Sequence, residues 1–479
     1  MTIHISLSDR RDLSGEIYRQ LRRAMADDRL RPGDPLPATR ELAQSLGISR
    51  TTVSVAYERL AADGFVASRQ GAGTFVTAYA ERRRHETRSA DAGPLRPRAF
   101  WETVAMPTTF DLPARYDFRT GLPSVELFPQ QAWRRLVRQA LDPADGAAGV
   151  YQEPGGHQPL RQAIARHVGL SRGVSADAAD VIITSGAQQA LDVLSRAVLC
   201  AGDRIAVEDP GYGLPRRLFR SQGLTVVPVP VDREGLVVDA LDPKTRAVYV
   251  TPSHQYPLGV TLSLPRRQAL ISWAQQHDAM IIEDDYDGEF RFQGRPVDAL
   301  QALDPFGRVI YVGSFSKVML PTLRAGFLIT PPALTHAVKA AKYVSDWHGP
   351  LLIQDALARF IDEGGFTRHL RRAGAAYARR YRRIHDIVGA RLGRHLEILP
   401  TTAGLHLTAI ARRASVAEIL EVVARARALD VAFHPLSMFS ESAPRAGVAL
   451  GYGAVAPDDI DEGLTRLARA FEDVMDVGT

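Results

Sequence analysis

The stretch "SFSKVMLPTLRAGF", Ser314–Phe327, carries a lysine in a chain that almost never uses one. Of 59 Lys plus Arg, lysine stands only at positions 244, 317, 339 and 342. Lys317 follows the β-branched run "RVIYVGS", which places it at a strand's C-terminal end, where α/β proteins gather ligands. One role is closed to arginine. Its guanidinium stays protonated, whereas a partly buried lysine amine loses its proton and attacks an aldehyde. The spelling Ser-x-x-Lys from Ser314 to Lys317 also suits a serine hydrolase, but the Ser-Asp-Asn and Lys-Thr-Gly triplets of that chemistry are missing from the sequence.

Pyridoxal phosphate supplies such an aldehyde, so Lys317 is the candidate Schiff-base residue. The cofactor's other needs are met nearby. Its ring nitrogen requires a carboxylate partner. "MIIEDDYDGEF" ends a strand with Asp284 and Tyr286 on one side by period-two alternation, within reach of that nitrogen and of the 3'-oxygen. Its phosphate requires backbone N–H groups at a helix start. "TSGAQQAL" provides a strand-to-helix turn with Ser185, Gly186, Ala187 and Gln188, while Ser314, Ser316 and Arg324 flank the lysine. Tyr212, in "EDPGYG" after another strand, can cover the ring face.

Outward from this core, residues 116–479 alternate β-branched runs with amphipathic helical stretches, the pattern of an α/β fold with a parallel sheet covered on both faces. After about residue 350 the texture becomes helix-rich, with an αβ pattern near 395–470 that predicts a smaller C-terminal α/β subdomain over about 350–479. Residues 79–115 mix charge and proline without sustained periodicity and read as a linker, with "ERRRHETR" as a solvated charge run. The 479-residue length exceeds a single core. The lone Cys200 excludes a disulfide framework and a Cys-rich zinc site, and no metal site is read. No apolar run approaches bilayer length and no secretory leader is evident, so a cytoplasmic location is expected, with no membrane partner. A net charge of +5 permits nucleic-acid binding without arguing for it.

Residues 10–78 form a compact helical pattern ending in a Gly-punctuated ribbon. Ile17, Leu21 and Met25 make one apolar stripe. "TRELAQSLG" is a short helix stopped by Gly47, and "ISRTTVSVAYERLAADG" begins a second at the N-cap candidate Ser49. Two short helices joined by a tight turn match a helix-turn-helix. Its second helix enters the major groove N-terminus first, so Ser49, Arg50, Thr51 and Thr52 meet phosphates and base edges. An arginine there binds guanine in bidentate fashion. "FVASRQGAGTFV" then reads as two strands around Gln70–Gly73, a wing.

The text "IYRQLRRAM…RLRPGDPLPATRELAQSLGISRTTVSVAYERLAADGFVASRQGAGTFV" resembles the winged helix-turn-helix of GntR-type transcription regulators. That resemblance implies DNA contacts at Arg40, Arg50, Thr51, Ser54 and Gly71. Ala38 departs from the family's usual serine, which leaves the helix cap to Thr39. "LPSVELFPQQAW", "YQEPGGHQPLRQAIARHV", "TSGAQQAL", "VEDPGYG", "TPSHQYPLG", "IIEDDYDGEF" and the lysine segment together resemble fold type I pyridoxal-phosphate aminotransferases. The whole chain is similar to the MocR/GabR family of transcription regulators.

The family implies pyridoxal 5'-phosphate on Lys317, with Gln255 doing part of the work of the aminotransferase asparagine. It also implies double-stranded DNA with paired half-sites, an amine, amino-acid or B6-vitamer effector, and a head-to-tail homodimer. Two departures bear on the effector. Leu214 stands where γ-amino-acid sensors carry arginine, and Ala449 where aminotransferases hold the substrate carboxylate. Arg445 and Arg216 are the nearby substitutes. A weakened clamp favours a sensor over an efficient transaminase, and an active aminotransferase with a fused DNA-binding head is the alternative.

Overall fold

The computed structural model describes residues 5, 7, 12–27, 29–69, 71–77, 96–104, 106, 114–141, 150–292 and 298–475. Gln70 of the expected wing and residues 79–95, 105 and 107–113 of the expected linker lie outside them. The chain divides into two compact units, Met1–Arg98 and Ala99–Thr479. Within the described part of the linker, Ala99–Thr103 is helical.

The first unit contains α1 (Leu13–Ala26), β1 (Pro35–Leu36), α2 (Thr39–Leu46), α3 (Arg50–Ala62), β2 (Val66–Arg69) and β3 (Gly73–Val76). The stripe Ile17, Leu21 and Met25 is buried, packed in one cluster with Leu42, Val53, Leu60 and Val66. Gly47 closes α2 at φ +65°, a left-handed conformation that costs glycine little. The Ser49 side chain accepts from the Thr52 backbone N–H at 3.1 Å and caps α3. Thr39 does not cap α2. Ala38 occupies that position without a side-chain bond, and the Thr39 hydroxyl instead accepts from Arg50 Nε at 3.3 Å. The strands pair antiparallel in the order β1–β3–β2, giving the expected wing.

The second unit is built on an eight-stranded sheet. After β4 (Tyr116–Asp117) come β5 (Val181–Thr184), β6 (Arg204–Asp209), β7 (Thr225–Asp232), β8 (Gly235–Leu236), β9 (Thr245–Val250), β10 (Met280–Asp285), β11 (Val309–Ser314) and β12 (Gly326–Ile329). Their order is β5–β12–β11–β10–β9–β6–β7–β8. Alternation sorts the side chains of these strands onto two faces. Ile182, Ile205, Ile282, Ile310 and Leu328 pack in one cluster with Leu191 and Leu194 of a helix at Ala187–Val198. Val248, Ile281 and Val309 pack in another with Leu270 and Ile271 of a helix at Leu264–Gln276. Both faces are covered, as expected.

The sheet is not wholly parallel. β12 runs antiparallel to β5 and β11, and β8 antiparallel to β7. A parallel return needs a crossover of a dozen or more residues, usually a helix. The Phe315–Ala325 connection, which carries the lysine, is too short to supply one. The reversal brings the start of β12 to the edge where the parallel strands end, since Gly326 pairs with both Ser314 and Thr184.

Beyond residue 395 a second sheet forms from β13 (Leu396–Ile398), β14 (His406–Ala411), β16 (His434–Pro435) and β17 (Gly447–Gly451), in the order β13–β14–β17–β16, while β15 (Val431–Ala432) pairs with β4. The helices Gly365–Leu392, Val416–Ala428 and Ile460–Met475 cover its Leu407, Val448 and Leu450 side. The αβ pattern read near 395–470 is this layer.

Candidate functional site

At the C-terminal edge of the large sheet, a cavity of about 370 Å³ gathers side chains from far apart in the sequence. Lys317, Asp284, Tyr286, Tyr212, Gly186, Ala187, Gln188, Ser314, Ser316 and Arg324 line it, all among the residues read from the sequence. The Lys317 amine donates to the Gly121 carbonyl at 2.7 Å. Burial holds this amine below the usual lysine range, opposed by Asp287 and Asp284. Gly121 sits at φ +82°, and a Cβ there would lie 3.1 Å from Lys317 Nζ, so a side chain would crowd the amine.

Asp284 is buried at the end of β10. Its Oδ2 accepts from the Tyr249 hydroxyl at 2.6 Å, but its Oδ1 has no hydrogen-bond partner. Burial pushes this carboxyl up to about 6. A buried acceptor without a donor is costly; Asp285 Oδ1 lacks one too, but only Asp284 of the two lines the cavity, where a ligand N–H can satisfy it. Asp285, one residue on, faces away and binds Arg172 Nε and the Tyr311 hydroxyl, both at 2.7 Å. The alternation that separated Asp284 and Tyr286 from Asp285 therefore holds.

Across the cavity, the Ala187–Val198 helix starts at Gly186 without a side-chain cap. Its first N–H groups form an anion site of the usual helix-terminus kind. The guanidinium of Arg324 lies over it, 3.5 Å from where a Gly186 Cβ would stand. Among the described residues the Arg324 guanidinium makes no hydrogen bond or ion pair, its backbone N–H alone bonding the Pro321 carbonyl at 3.3 Å. Gly326 lets the start of β12 lie against this helix start, because a Cβ there would come 2.7 Å from the Gly186 Cα. A buried amine, an orphaned carboxylate oxygen and an uncapped helix start beneath a free arginine match the aldehyde, ring nitrogen and phosphate of pyridoxal phosphate. The residues fit that group.

Other expectations land elsewhere. Ser185 is not on the cavity wall, and its N–H is taken by Gln189 Oε1 at 2.8 Å. Gln255 is fully buried outside the cavity, its amide donating to the Pro210 and Tyr256 carbonyls at 2.8 Å and accepting from Leu258 N at 3.1 Å. Tyr256 next to it lines the cavity instead, its hydroxyl 2.6 Å from Thr120 Oγ1. Arg216 is buried away from the cavity against Asp209 at 3.3 Å and the Glu208 carbonyl, and Arg445 is exposed and outside it. Leu214 is 47% exposed. Ala449 pairs with Thr408 and His434 on the small sheet, packed with Leu258 and Phe439.

Thr120, Gly121, Tyr249, Thr251, Tyr256, Asp287 and His406 were not read from the sequence. Tyr249 carried a signal, as the one hydroxyl-bearing ring in the strand "TRAVYV". His406 arrives from the small sheet and had none. Although no metal site was read, His254, Asp287 and His406 place ligand-type atoms within 4.8 Å of one another. Each of the two rings has a nitrogen engaged in a hydrogen bond: His254 Nδ1 lies 3.0 Å from Asp287 Oδ2, and His406 Nε2 lies 2.9 Å from the Pro257 carbonyl.

Below the cavity, buried Glu208 accepts from Thr251 N at 3.1 Å and Oγ1 at 2.6 Å. Burial pushes its carboxyl from the ordinary 4.5 up to about 7. Between those values the folded protein holds a proton that the unfolded chain releases. The stability this group contributes is full below 4.5 and is lost as pH rises through about 7. Glu208→Gln is therefore expected to raise the melting temperature at alkaline pH, with the gain vanishing in acid. A gain independent of pH would refute the assignment.

In the first unit, Arg40, Ser49, Arg50 and Thr51 are exposed, and Thr52 and Ser54 are partly so. Thr51 and Ser54 lie on the side of α3 opposite the buried Val53, Ala56, Tyr57 and Leu60. The Arg50–Thr39 bond brings the starts of α2 and α3 together, so Arg40 and Arg50 share one end of the motif. Gly71 is exposed at φ +78° in the turn between β2 and β3.

Residues 13–76 match the family model for bacterial regulatory proteins of the gntR family, and residues 124–428 that for aminotransferases of class I and II. A kynurenine aminotransferase structure from Pyrococcus horikoshii superposes with a TM-score of 0.70 at 28% identity, covering 76% of this chain and 92% of that one. The protein is thus a GntR-type DNA-binding head joined to an aminotransferase fold. A probable rhizopine catabolism regulatory protein, MocR, of Rhizobium meliloti is 38% identical, with 95% of this chain and 93% of the relative aligned. The pyridoxine biosynthesis regulator PdxR of Corynebacterium glutamicum is 34% identical over 82% of each. The chain belongs to the MocR family of transcription regulators. Among the described residues no helix is long and apolar enough to cross a membrane.

Proposed function

We propose that the chain binds pyridoxal 5'-phosphate at Lys317 and regulates transcription in response to an amino compound or a B6 vitamer. When bound, the cofactor supplies an aldehyde that captures amines and a ring that withdraws electrons. Asp284 holds the ring nitrogen. The Gly186 helix start, with Gln188, Ser314, Ser316 and Arg324, holds the phosphate. Tyr212 covers the ring and Tyr286 reaches the 3'-oxygen. Lys317, whose amine burial makes easier to deprotonate, is both the attachment point and the group displaced by an incoming amine. The observation that carries this reading is the orphaned Asp284 Oδ1 in the same cavity as the desolvated Lys317 amine.

Exchange at Lys317 frees its side chain beside Gly121 and His406, where elements from the two sheets of the unit meet. An effector that binds two arrangements of these elements unequally shifts a head-to-tail homodimer on paired half-sites. Equal binding would shift nothing. The alternative, an aminotransferase with a fused head, draws support from the kinship with aminotransferase structures. The test is the purified chain itself. A visible absorbance band and an operator affinity that changes when amine is added are expected. Sustained turnover with a keto acid at about 1 per second or faster would overturn the regulator reading.

A further inference from the structure

A buried histidine–carboxylate pair lies beside the cofactor-type residues. His254 and Asp287 are each 1% exposed, with His254 Nδ1 at 3.0 and 3.2 Å from the two carboxylate oxygens. The same Nδ1 is 3.0 Å from the Tyr286 hydroxyl. On its other side, Nε2 is 3.2 Å from Thr401 Oγ1, in the segment leading into β14. Partners at both nitrogens hold the imidazole in this orientation. A Cβ on Gly404 would fall 2.0 Å from its Cε1, and one on Gly259 would fall 3.3 Å from its Nε2. At position 404 only a glycine leaves room for the ring.

The hydrogen bookkeeping follows from donor chemistry. A carboxylate only accepts, so the hydrogen between Asp287 and His254 sits on Nδ1. Nδ1 then has no lone pair for the Tyr286 phenol. The phenol oxygen shares the Nδ1 hydrogen as an acceptor and keeps its own hydrogen for the cavity it lines with Asp284 and Lys317. Without Asp287, Nδ1 is free to capture that hydrogen, and Tyr286 turns from donor to spent group.

We propose that the buried His254–Asp287 pair is a positioning device that fixes Tyr286 as a hydrogen-bond donor to whatever ligand Lys317 holds. The proposal rests on the cofactor reading given above. The titratable groups facing the pair are Tyr286 and Glu289 after β10, Tyr256 before Pro257, His406 on β14 with ring centroids 4.7 Å away, Tyr452 after β17, and Lys317 and Asp284 across the cavity.

The test is the pH midpoint of the visible band in pyridoxal-phosphate-loaded protein. A phenol donating to the 3'-oxygen favours the unprotonated chromophore. Tyr286→Phe in the parent should therefore raise the midpoint by about one unit, a tenfold change in proton affinity. In an Asp287→Leu background the same change should move it little, because the phenol hydrogen is already lost to His254. The charge removed with Asp287 is absent from both members of that pair and cancels. His254→Phe, which keeps ring volume, gives the same comparison should Asp287→Leu fold poorly, and at least half of the Tyr286→Phe shift should disappear there. Equal Tyr286→Phe shifts in the parent and in either background would overturn the proposal. A protein with no visible band at any pH would overturn the cofactor reading and this proposal with it.

Discussion

Lys317→Ala is expected to abolish the visible band of the purified protein and the amine response of its DNA binding together. The loss should be complete rather than graded, because the cavity offers no second amine among the described residues. Arg324, the other cation on the wall, stays protonated and cannot attack an aldehyde. The fold should survive. Lys317 makes one hydrogen bond, to the Gly121 carbonyl, and a carbonyl facing an open cavity can take water instead. Lys317→Arg separates charge from reactivity: it restores the cation without the band. Spectra and gel-shift titrations of the full chain with and without amine decide the matter. A band and a response that both persist in Lys317→Ala would end the assignment.

Why this lysine was legible, and some of its neighbours were not, has a physical answer. Asp284, Tyr286, Tyr212, Gly186 and Ser314 stand at or just after the ends of strands, so each travels in sequence with a β-branched run that locates it. Arg324 follows Lys317 at short range. Thr120 and His406 come from elements that reach the cavity only through long-range packing, and no local pattern announces that. The error at Gln255 is of another kind. In "SHQYPLG" the loop reverses so that Gly259 N bonds the Gln255 carbonyl at 2.7 Å. Gln255 is thereby turned inward to satisfy the loop's own backbone, while Tyr256 faces the cavity. Which of two adjacent residues points to a ligand is a matter of register, which composition does not carry. The sheet direction was missed for a similar reason. A short segment after β11 forces β12 to return antiparallel, and only connection length, not the pattern of the strand itself, records it. In the DNA-binding unit the helices and strands follow from local pattern, and the expected cap at Thr39 is corrected by Ala38.

That locality makes the recognition helix the sharpest target outside the cavity. Arg50→Ala should weaken operator binding by about 1–3 kcal/mol, roughly five- to 150-fold, and relax preference at one or two base pairs. Arg50 is exposed at the first position of α3 and its side chain makes one hydrogen bond, to the Thr39 hydroxyl. Alanine suits a helix start, and the cap belongs to Ser49, so little stability should change. Ser49→Ala would be ambiguous by comparison, since losing a cap costs about 1 kcal/mol of helix stability before any contact with DNA is counted. Binding measured at fixed salt across single-base operator variants reads the difference: a phosphate contact weakens every sequence alike, whereas a base contact flattens the profile at its own position. If the protein grips DNA as a dimer, the flattened positions should appear twice, separated in steps of the helical turn. Unchanged affinity with an unchanged profile would mean that α3 is not the helix in the groove.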